Sequence, residues 1–272
     1  MDSLAAEAIL QQRCASRPRG LYTVATTLQH FAIITYAIPP ERLQRHLPPG
    51  FTPHLVRLGD EDRALISVVP FLDRDFRFIR LPFARWSFAQ TNYRAYVRYR
   101  GEECAWFFGT ALATPLVRIP RQLWQLPWLP AKTRFDARFN REAERYERYR
   151  VETSGSAAAE IVLEDSGEQS GLQPGFDCPA NQDLVICHPT RGYFYRRDCR
   201  LGTYRIWHDR LKPTRGKVVH ARYKLLEDLG MLSASEAQEP HSVLIQRQVD
   251  FLIDLPPRCP PVSDRSASVD AG

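Results

Sequence analysis

The chain has 272 residues, 44% hydrophobic and 25% charged, an ordinary globular balance with room for one large domain or two small ones. No run of about 18 apolar residues is present to span a bilayer, and Asp2 and Glu7 stand where a secretory leader carries basic residues, so a cytoplasmic protein is expected. The net charge of +6 is lopsided: four of the 37 basic residues are lysine, which leaves 33 arginines. Arginine forks suit carboxylate and phosphate, but a GC-rich coding sequence gives the same bias, so composition alone does not make a nucleic-acid binder. Six cysteines, at positions 14, 104, 178, 187, 199 and 259, form no Cys-x-x-Cys pair and are expected to be free thiols.

In chain order, residues 1–20 read as a flexible or helical lead-in closed by Pro18-Arg19-Gly20. Leu28–Ile38 is a β-branched, aromatic strand, and residues 39–47 form a short helix with proline in its first turn and Pro48-Pro49-Gly50 after it. Ala64–Phe71 is apolar throughout, a strand buried on both faces. Phe88–Tyr99 is a third strand, joined through Gly101-Glu102-Glu103 to Cys104–Leu112 as a hairpin. A short helix fits residues 121–125, ahead of Leu126-Pro127. Arg134–Arg150 is compatible with a charged helix, but Arg145–Thr153 alternates and is assigned as a strand pairing with Ala158–Glu164. After a loop at 166–179, strands are expected at 184–188, within 192–205 and at 243–255, with a strand-to-helix passage at 223–232. The tail from residue 259 lacks a hydrophobic pattern and reads as disordered. Many short strands and few helices point to one mainly β domain over residues 21–258, an α+β chain built on a closed antiparallel barrel with short peripheral helices.

Phe88–Tyr99 has two chemically different faces. One carries Phe88, Gln90, Asn92, Arg94, Tyr96 and Arg98; the other carries Ala89, Thr91, Tyr93, Ala95, Val97 and Tyr99. The polar row is either a solvent face or the wall of a ligand cavity, and alternation alone favours solvent.

Four segments carry a family resemblance: residues 47–51 with the strand at 66–71; Asn92-Tyr93-Arg94-Ala95-Tyr96-Val97; residues 121–127; and Ser242-Val243-Leu244 leading to Asp250-Phe251 and Leu255-Pro256-Pro257. Over residues 25–258 the chain resembles the YqjF-like family of uncharacterised bacterial proteins, related to acetoacetate decarboxylase. The resemblance implies a cone-like β-barrel around a small-molecule cavity, with the polar row turned inward and Gln90 where the decarboxylase has a cavity-facing glutamate. That enzyme works through a Schiff-base lysine, made nucleophilic by burial and a second cation. Here Trp128 follows Pro127 where that lysine should be, and Gln122 replaces a motif glutamate. Lys132, four residues on, reads as a surface lysine. The fold is therefore expected to carry over and the decarboxylation is not; any reaction would be a lyase-type or acid–base step on a carboxylate or carbonyl compound, by analogy of fold only.

The expected site is a ligand-binding one: Arg94 and Arg121 clamping an anionic group, Gln90 and Asn92 orienting it, and Tyr96, Trp124 and Trp128 as apolar walls. The structural alternative is that Arg94 and Arg121 pair with core acids. Cys178, Cys187, His188, Cys199 and His208 match no familiar zinc spacing. Arg191–Arg210 interleaves aromatics with arginines as a single-strand nucleic-acid surface does, and as two ordinary neighbouring strands also do. No Gly-rich phosphate loop or hydrolase elbow is present. The expectation is thus a small, anionic organic ligand, no cofactor, no metal, no membrane and no nucleic acid, with homo-oligomerisation left open. The competing function is a non-enzymatic nucleic-acid or protein interaction module using the arginine-rich surface.

Overall fold

The structure, a computed structural model, describes residues 2–18, 20, 22–114 and 125–258. Helix α1 (Ser3–Ala15) precedes β1 (Thr23–Ile38), α2 (Pro40–Gln44), β2 (Phe51–Pro53), β3 (Leu55–Leu58), β4 (Glu61–Phe78), β5 (Trp86–Tyr99) and β6 (Glu102–Leu112). Then come β7 (Trp128–Asn140), β8 (Arg145–Gly155), β9 (Ala159–Gln169), helix α3 (Pro179–Gln182) running into a π-helical turn (Asp183–Cys187), β10 (Arg191–Tyr195) and β11 (Leu201–His208). Strand β12 (Thr214–Tyr223), α4 (Lys224–Asp228) and β13 (Ser242–Arg258) complete the order.

All strands among the described residues belong to one sheet whose main path is β11-β10-β6-β7-β8-β9-β12-β13-β1-β4-β5-β2, with β3 on β4. Two further pairings, β11 with β13 and β6 with β5, tie distant parts of that path together. Strand β6 runs parallel to both β7 and β10, so the antiparallel sheet expected from sequence holds for every other pairing but not for these two. The β5–β6 hairpin turns through Arg100 and Gly101, with φ of 52° and 79°. That pair of left-handed residues matches the twist of its flanking strands.

Strands β13, β1, β4, β5 and β6 form a wall with an apolar mass on each face. Alternation sorts the residues: Ile66, Val68, Tyr93 and Ala95 enter one core, shared with Tyr149, Ile161 and Tyr223 of β8, β9 and β12. Leu65, Val69, Phe71 and Tyr96, their neighbours in sequence, enter a second core with Val185, Ile186 and Phe251. Strand β1 obeys the same rule only because of a bulge. Between Gln29 and Ile34 it carries one residue more than β4, and His30 sits there at φ 52°. The bulge switches parity, so Leu28 and Phe31 both face the second core although three positions apart. His30 is pinned from β8: its carbonyl accepts from the Tyr149 hydroxyl at 2.6 Å and its Nδ1 lies 2.8 Å from Tyr146 Oη.

One open alternative is resolved and two local expectations are corrected. Of the stretch at 134–150, compatible by sequence with a charged helix or with a strand, residues 134–140 belong to β7 and 145–150 to β8, and Phe135, Ala137 and Phe139 pack against the first core. Residues 184–188, expected as a strand, belong to the π-helical turn and its cap: Pro179 starts a helix, and Leu184, Val185 and Ile186 are buried by tertiary packing that overrides their β preference. Strand β12 begins at Thr214, well before the passage expected at 223. The helix expected at 121–125 and the tail from 259 lie outside the described residues, apart from Gln125.

Candidate functional site

On the face of the wall that carries the second core lies a cavity of about 840 Å³, counting the part open to solvent. Its polar lining comes mainly from β5: Gln90, Asn92 and Arg94 turn inward, with Phe88 at one end of the row. Both faces of β5 are consequently buried, since Tyr93, Ala95 and Val97 on the other side are fully enclosed in the first core. Apart from Asp73 and Thr110, the rest of the lining is aromatic and aliphatic, with Phe31, Phe71, Phe107, Trp128, Tyr204 and Phe251 prominent.

Arg94 is 6% exposed. Its Nη2 donates to the Ile186 carbonyl at 3.0 Å and to the Tyr96 hydroxyl at 3.3 Å, and its guanidinium carbon stands 5.3 Å from the Tyr96 ring centre. Its Nε is buried without a partner. All of these contacts are to neutral groups, so among the described residues no core acid pairs with Arg94. Burying an ion costs several kcal/mol even after relaxation, and here that cost is met by one carbonyl, one hydroxyl and a ring face.

The other expected residues fall into three groups. Gln90 Nε2 donates to Asn92 Oδ1 at 2.8 Å, and Thr110 Oγ1 donates to the same oxygen at 2.9 Å, so the Asn92 oxygen is occupied and the row is fixed in orientation. Trp128, first residue of β7, lines the cavity. Tyr96 lies behind the lining: 1% exposed, its hydroxyl joins Ser67, Arg94 and the Ile186 carbonyl, and it holds the arginine in place. Arg121 and Trp124 lie outside the described residues. Lys132 is exposed on β7, as are Lys212, Lys217 and Lys224 elsewhere, so none of the chain's lysines reaches the cavity.

Sequence reasoning missed Asp73. It lies on β4, two residues beyond Phe71 and on the same face, and it lines the cavity at 2% exposure. Thr26 Oγ1 donates to its Oδ1 at 2.9 Å, while Oδ2 is buried without a partner. Burial pushes this carboxyl up to about 7, against the smaller opposing pull of the Thr26 bond. The signal was available. Extending the apolar run at 64–71 by one alternation puts an acid on the face of Val69 and Phe71.

Behind the cavity, His188 stacks on His208 with ring centres 4.2 Å apart, and His208 stacks on Phe251 at 4.4 Å. Burial lowers them to about 2 and about 4, so both rings are neutral near pH 7. The cysteines do not gather around this pair: no cluster of three or more His, Cys, Asp or Glu able to hold a metal occurs among the described residues. The five described cysteines are unpaired. In the arginine-rich stretch, Tyr193, Phe194 and Trp207 are buried, at 4%, 0% and 4% exposure, which removes them as stacking platforms for bases. Arg196 and Arg200 both clasp Asp198. No helix among the described residues is long and apolar enough to cross a membrane.

A family model for uncharacterized conserved proteins, DUF2071, matches residues 25–250. No curated protein matches the sequence. Among solved structures, the enduracididine biosynthesis enzyme MppR aligns at TM-score 0.58 with 13% identity, covering 92% of this chain and 90% of that one. An acetoacetate decarboxylase-like enzyme from Sphingomonas wittichii RW1 aligns at 0.57 with 8% identity, over 86% and 92% of the two chains. Acetoacetate decarboxylase from Legionella pneumophila subsp. pneumophila str. Philadelphia 1 aligns at 0.54 with 15% identity, over 90% and 92%. At these identities the likeness is one of fold, which is the acetoacetate decarboxylase-like fold.

Proposed function

The chain belongs to the DUF2071 family, and from that footing we propose that it is a binding protein for a small organic anion, held in the β5 cavity with Arg94 as its charged contact. The observation that carries this reading is a buried guanidinium on a cavity wall with neutral partners only. A carboxylate ligand would supply the missing counter-charge through charge-assisted hydrogen bonds in a medium of low dielectric. Gln90 and Asn92 would set its orientation, and Trp128 with the phenylalanines would cover its apolar part. Arg121 and Trp124 remain, from the sequence, candidates for the same site.

Two lines support an enclosed site. Hydrogen-bonded neighbours lead from β6 through β5, β4, β1, β13, β11 and β10 and back to β6, as a closed barrel in one domain over residues 21–258 would require. A solved structure of MppR is described as a complex with pyruvate, a small carboxylate. The absence of any lysine from the lining argues against Schiff-base chemistry, so the reading is of a binding cavity first.

Calorimetric titration with butyrate, benzoate and pyruvate tests it. Saturable binding of at least one acid is expected, weakened on the order of 100-fold in Arg94→Ala, the range for a lost charge-assisted bond. Equal affinity in Arg94→Ala and the parent protein would overturn the proposal.

A further inference from the structure

Among the described residues that line the cavity, two carry charged-type side chains, Arg94 and Asp73. Their places are set by register. Asp73 pairs with Phe88 across β4 and β5, whereas Arg94 pairs with Ser67. Six residues of extended strand separate Phe88 from Arg94, about 20 Å at 3.3–3.4 Å per residue. The guanidinium also points away from Asp73, toward Tyr96 and the Ile186 carbonyl. The cavity therefore has two polar poles at opposite ends, joined by the Gln90–Asn92 row and walled by aromatic rings.

The Asp73 pole is unfinished. Oδ1 is satisfied by Thr26, and Oδ2 has no partner although it is buried. Among the described residues no cation pairs with the acid. From β1 it faces Thr26 and Leu28, and from β5 Phe88 and Gln90; β13 contributes Phe251, Ile253 and Leu255 to the same lining, and β11 contributes Tyr204 and Ile206. Of these only Tyr204 titrates, and burial pushes its hydroxyl up, so it stays neutral. On β4 itself, Arg74 is turned to Gln29, and Asp75 is paired with Arg77 and Arg85 on the exposed side.

We propose that Asp73 is a second ligand-binding group, whose protonated Oδ2 donates a hydrogen bond to an acceptor oxygen at the far end of an elongated, largely apolar carboxylate anchored on Arg94. The ligand class is thereby narrowed from small anions at large to acyl or aryl carboxylates carrying a carbonyl oxygen remote from the carboxylate. This rests on the binding role given to the cavity above. Near neutral pH the carboxyl is close to its raised midpoint, which makes the contact proton-dependent. Protonated, Asp73 donates to the oxygen; ionised, it repels it.

The test uses undecanoate and 10-oxoundecanoate, which differ by one ketone oxygen at the far end of the chain. Affinities are measured by calorimetry at pH 6 and pH 8.5 on the full-length parent, Asp73→Asn and Asp73→Leu, with melting midpoints recorded for each. In the parent the keto acid is expected to bind about tenfold tighter than undecanoate at pH 6, the worth of one hydrogen bond, and to lose that advantage at pH 8.5. Asp73→Asn, whose amide donates at any pH and still accepts from Thr26, keeps the advantage at both; Asp73→Leu shows none. Equal binding of the two acids by the parent at pH 6 overturns the Asp73 assignment, as does an unchanged pH profile in Asp73→Asn, which does not depend on the leucine variant folding. If undecanoate binds and is lost in Arg94→Ala while the oxygen adds nothing, the cavity reading stands and only the second pole falls. If neither acid binds the parent, the Asp73 assignment falls, and the cavity reading stands or falls with the short acids of the earlier titration.

Discussion

An acid kept out of water changes stability as well as recognition. Asp73 has an ordinary value of 3.8 when exposed and about 7 in the folded protein, so the native state holds its proton over an interval in which the unfolded chain has lost it. Stability then falls as pH rises from about 4 to about 7 and levels off above. The loss reaches about 4 kcal/mol, since each pH unit between the two values is worth about 1.4 kcal/mol. Asp73→Asn removes this slope. Urea titrations at pH 4.5 and pH 8 should show the variant gaining on the parent at the higher pH, and parallel behaviour of the two proteins would contradict the burial argument. His188 and His208 act in the opposite direction. Both are depressed from 6.5 to about 2 and about 4, so their contribution is complete above pH 6.5 and is lost as pH falls toward the folded values. At pH 5 each costs about 2 kcal/mol relative to pH 8. His208→Asn should flatten the acid limb by about that amount in the same titrations.

At the scale of elements, α1 and the π-helical turn form one unit. Arg13 donates to the carbonyls of Leu184 and His188 at 3.2 and 2.7 Å, Ala6 and Leu10 pack on Ala180 and Leu184, and Trp207 Nε1 donates to the Cys14 carbonyl. The same turn presents the Ile186 carbonyl to Arg94. Leu10→Ala should therefore cost about 2–5 kcal/mol as a core truncation and also weaken carboxylate binding, although α1 does not line the cavity. A variant that is destabilised but binds normally would show the turn to be rigid without its helix. How far sequence could foresee these elements depends on where their determinants lie. The inward row of β5 was legible because a strict period of two survives in the residues themselves, and the family resemblance supplied the side on which the cavity lies. The π-helical turn was not, since Leu184-Val185-Ile186-Cys187 has the composition of a strand and its helical course is fixed by α1 and β5, distant in sequence. β7 was obscured because its outward face is charged and its inward face only half-buried, which blurs the alternation.

For the molecule as a whole, the five-stranded wall separates two interiors with different duties. The first core is packed solid, with polar links such as the Tyr36 and Tyr223 hydroxyls 3.0 Å apart. The second leaves room beside Val69, Phe71 and Phe251. Equivalent truncations on β4 should therefore differ in consequence. Ile66→Ala should lower the melting midpoint and leave carboxylate affinity within about twofold, because sites on opposite faces with no shared partners behave independently. Phe71→Ala should lower both, because it widens the cavity as well as removing buried area. Thermal denaturation with calorimetry on the two variants checks the division; a loss of affinity in Ile66→Ala equal to that in Phe71→Ala would mean that the wall transmits strain.

The extra residue at His30 has a consequence for how this chain tolerates length change. Excising that single codon would let β1 run flush with β4 and leave Leu28 and Phe31 two positions apart, both still facing the second core, with Thr26 still beside Asp73. The pairing with β13, which runs in unbroken register through Gln29 and Phe31, would instead slip by one residue, so Thr27 would no longer stand opposite Asp250, to which its hydroxyl now donates. One deletion would thus spare the cavity face of β1 while misaligning half of the strand with its other neighbour.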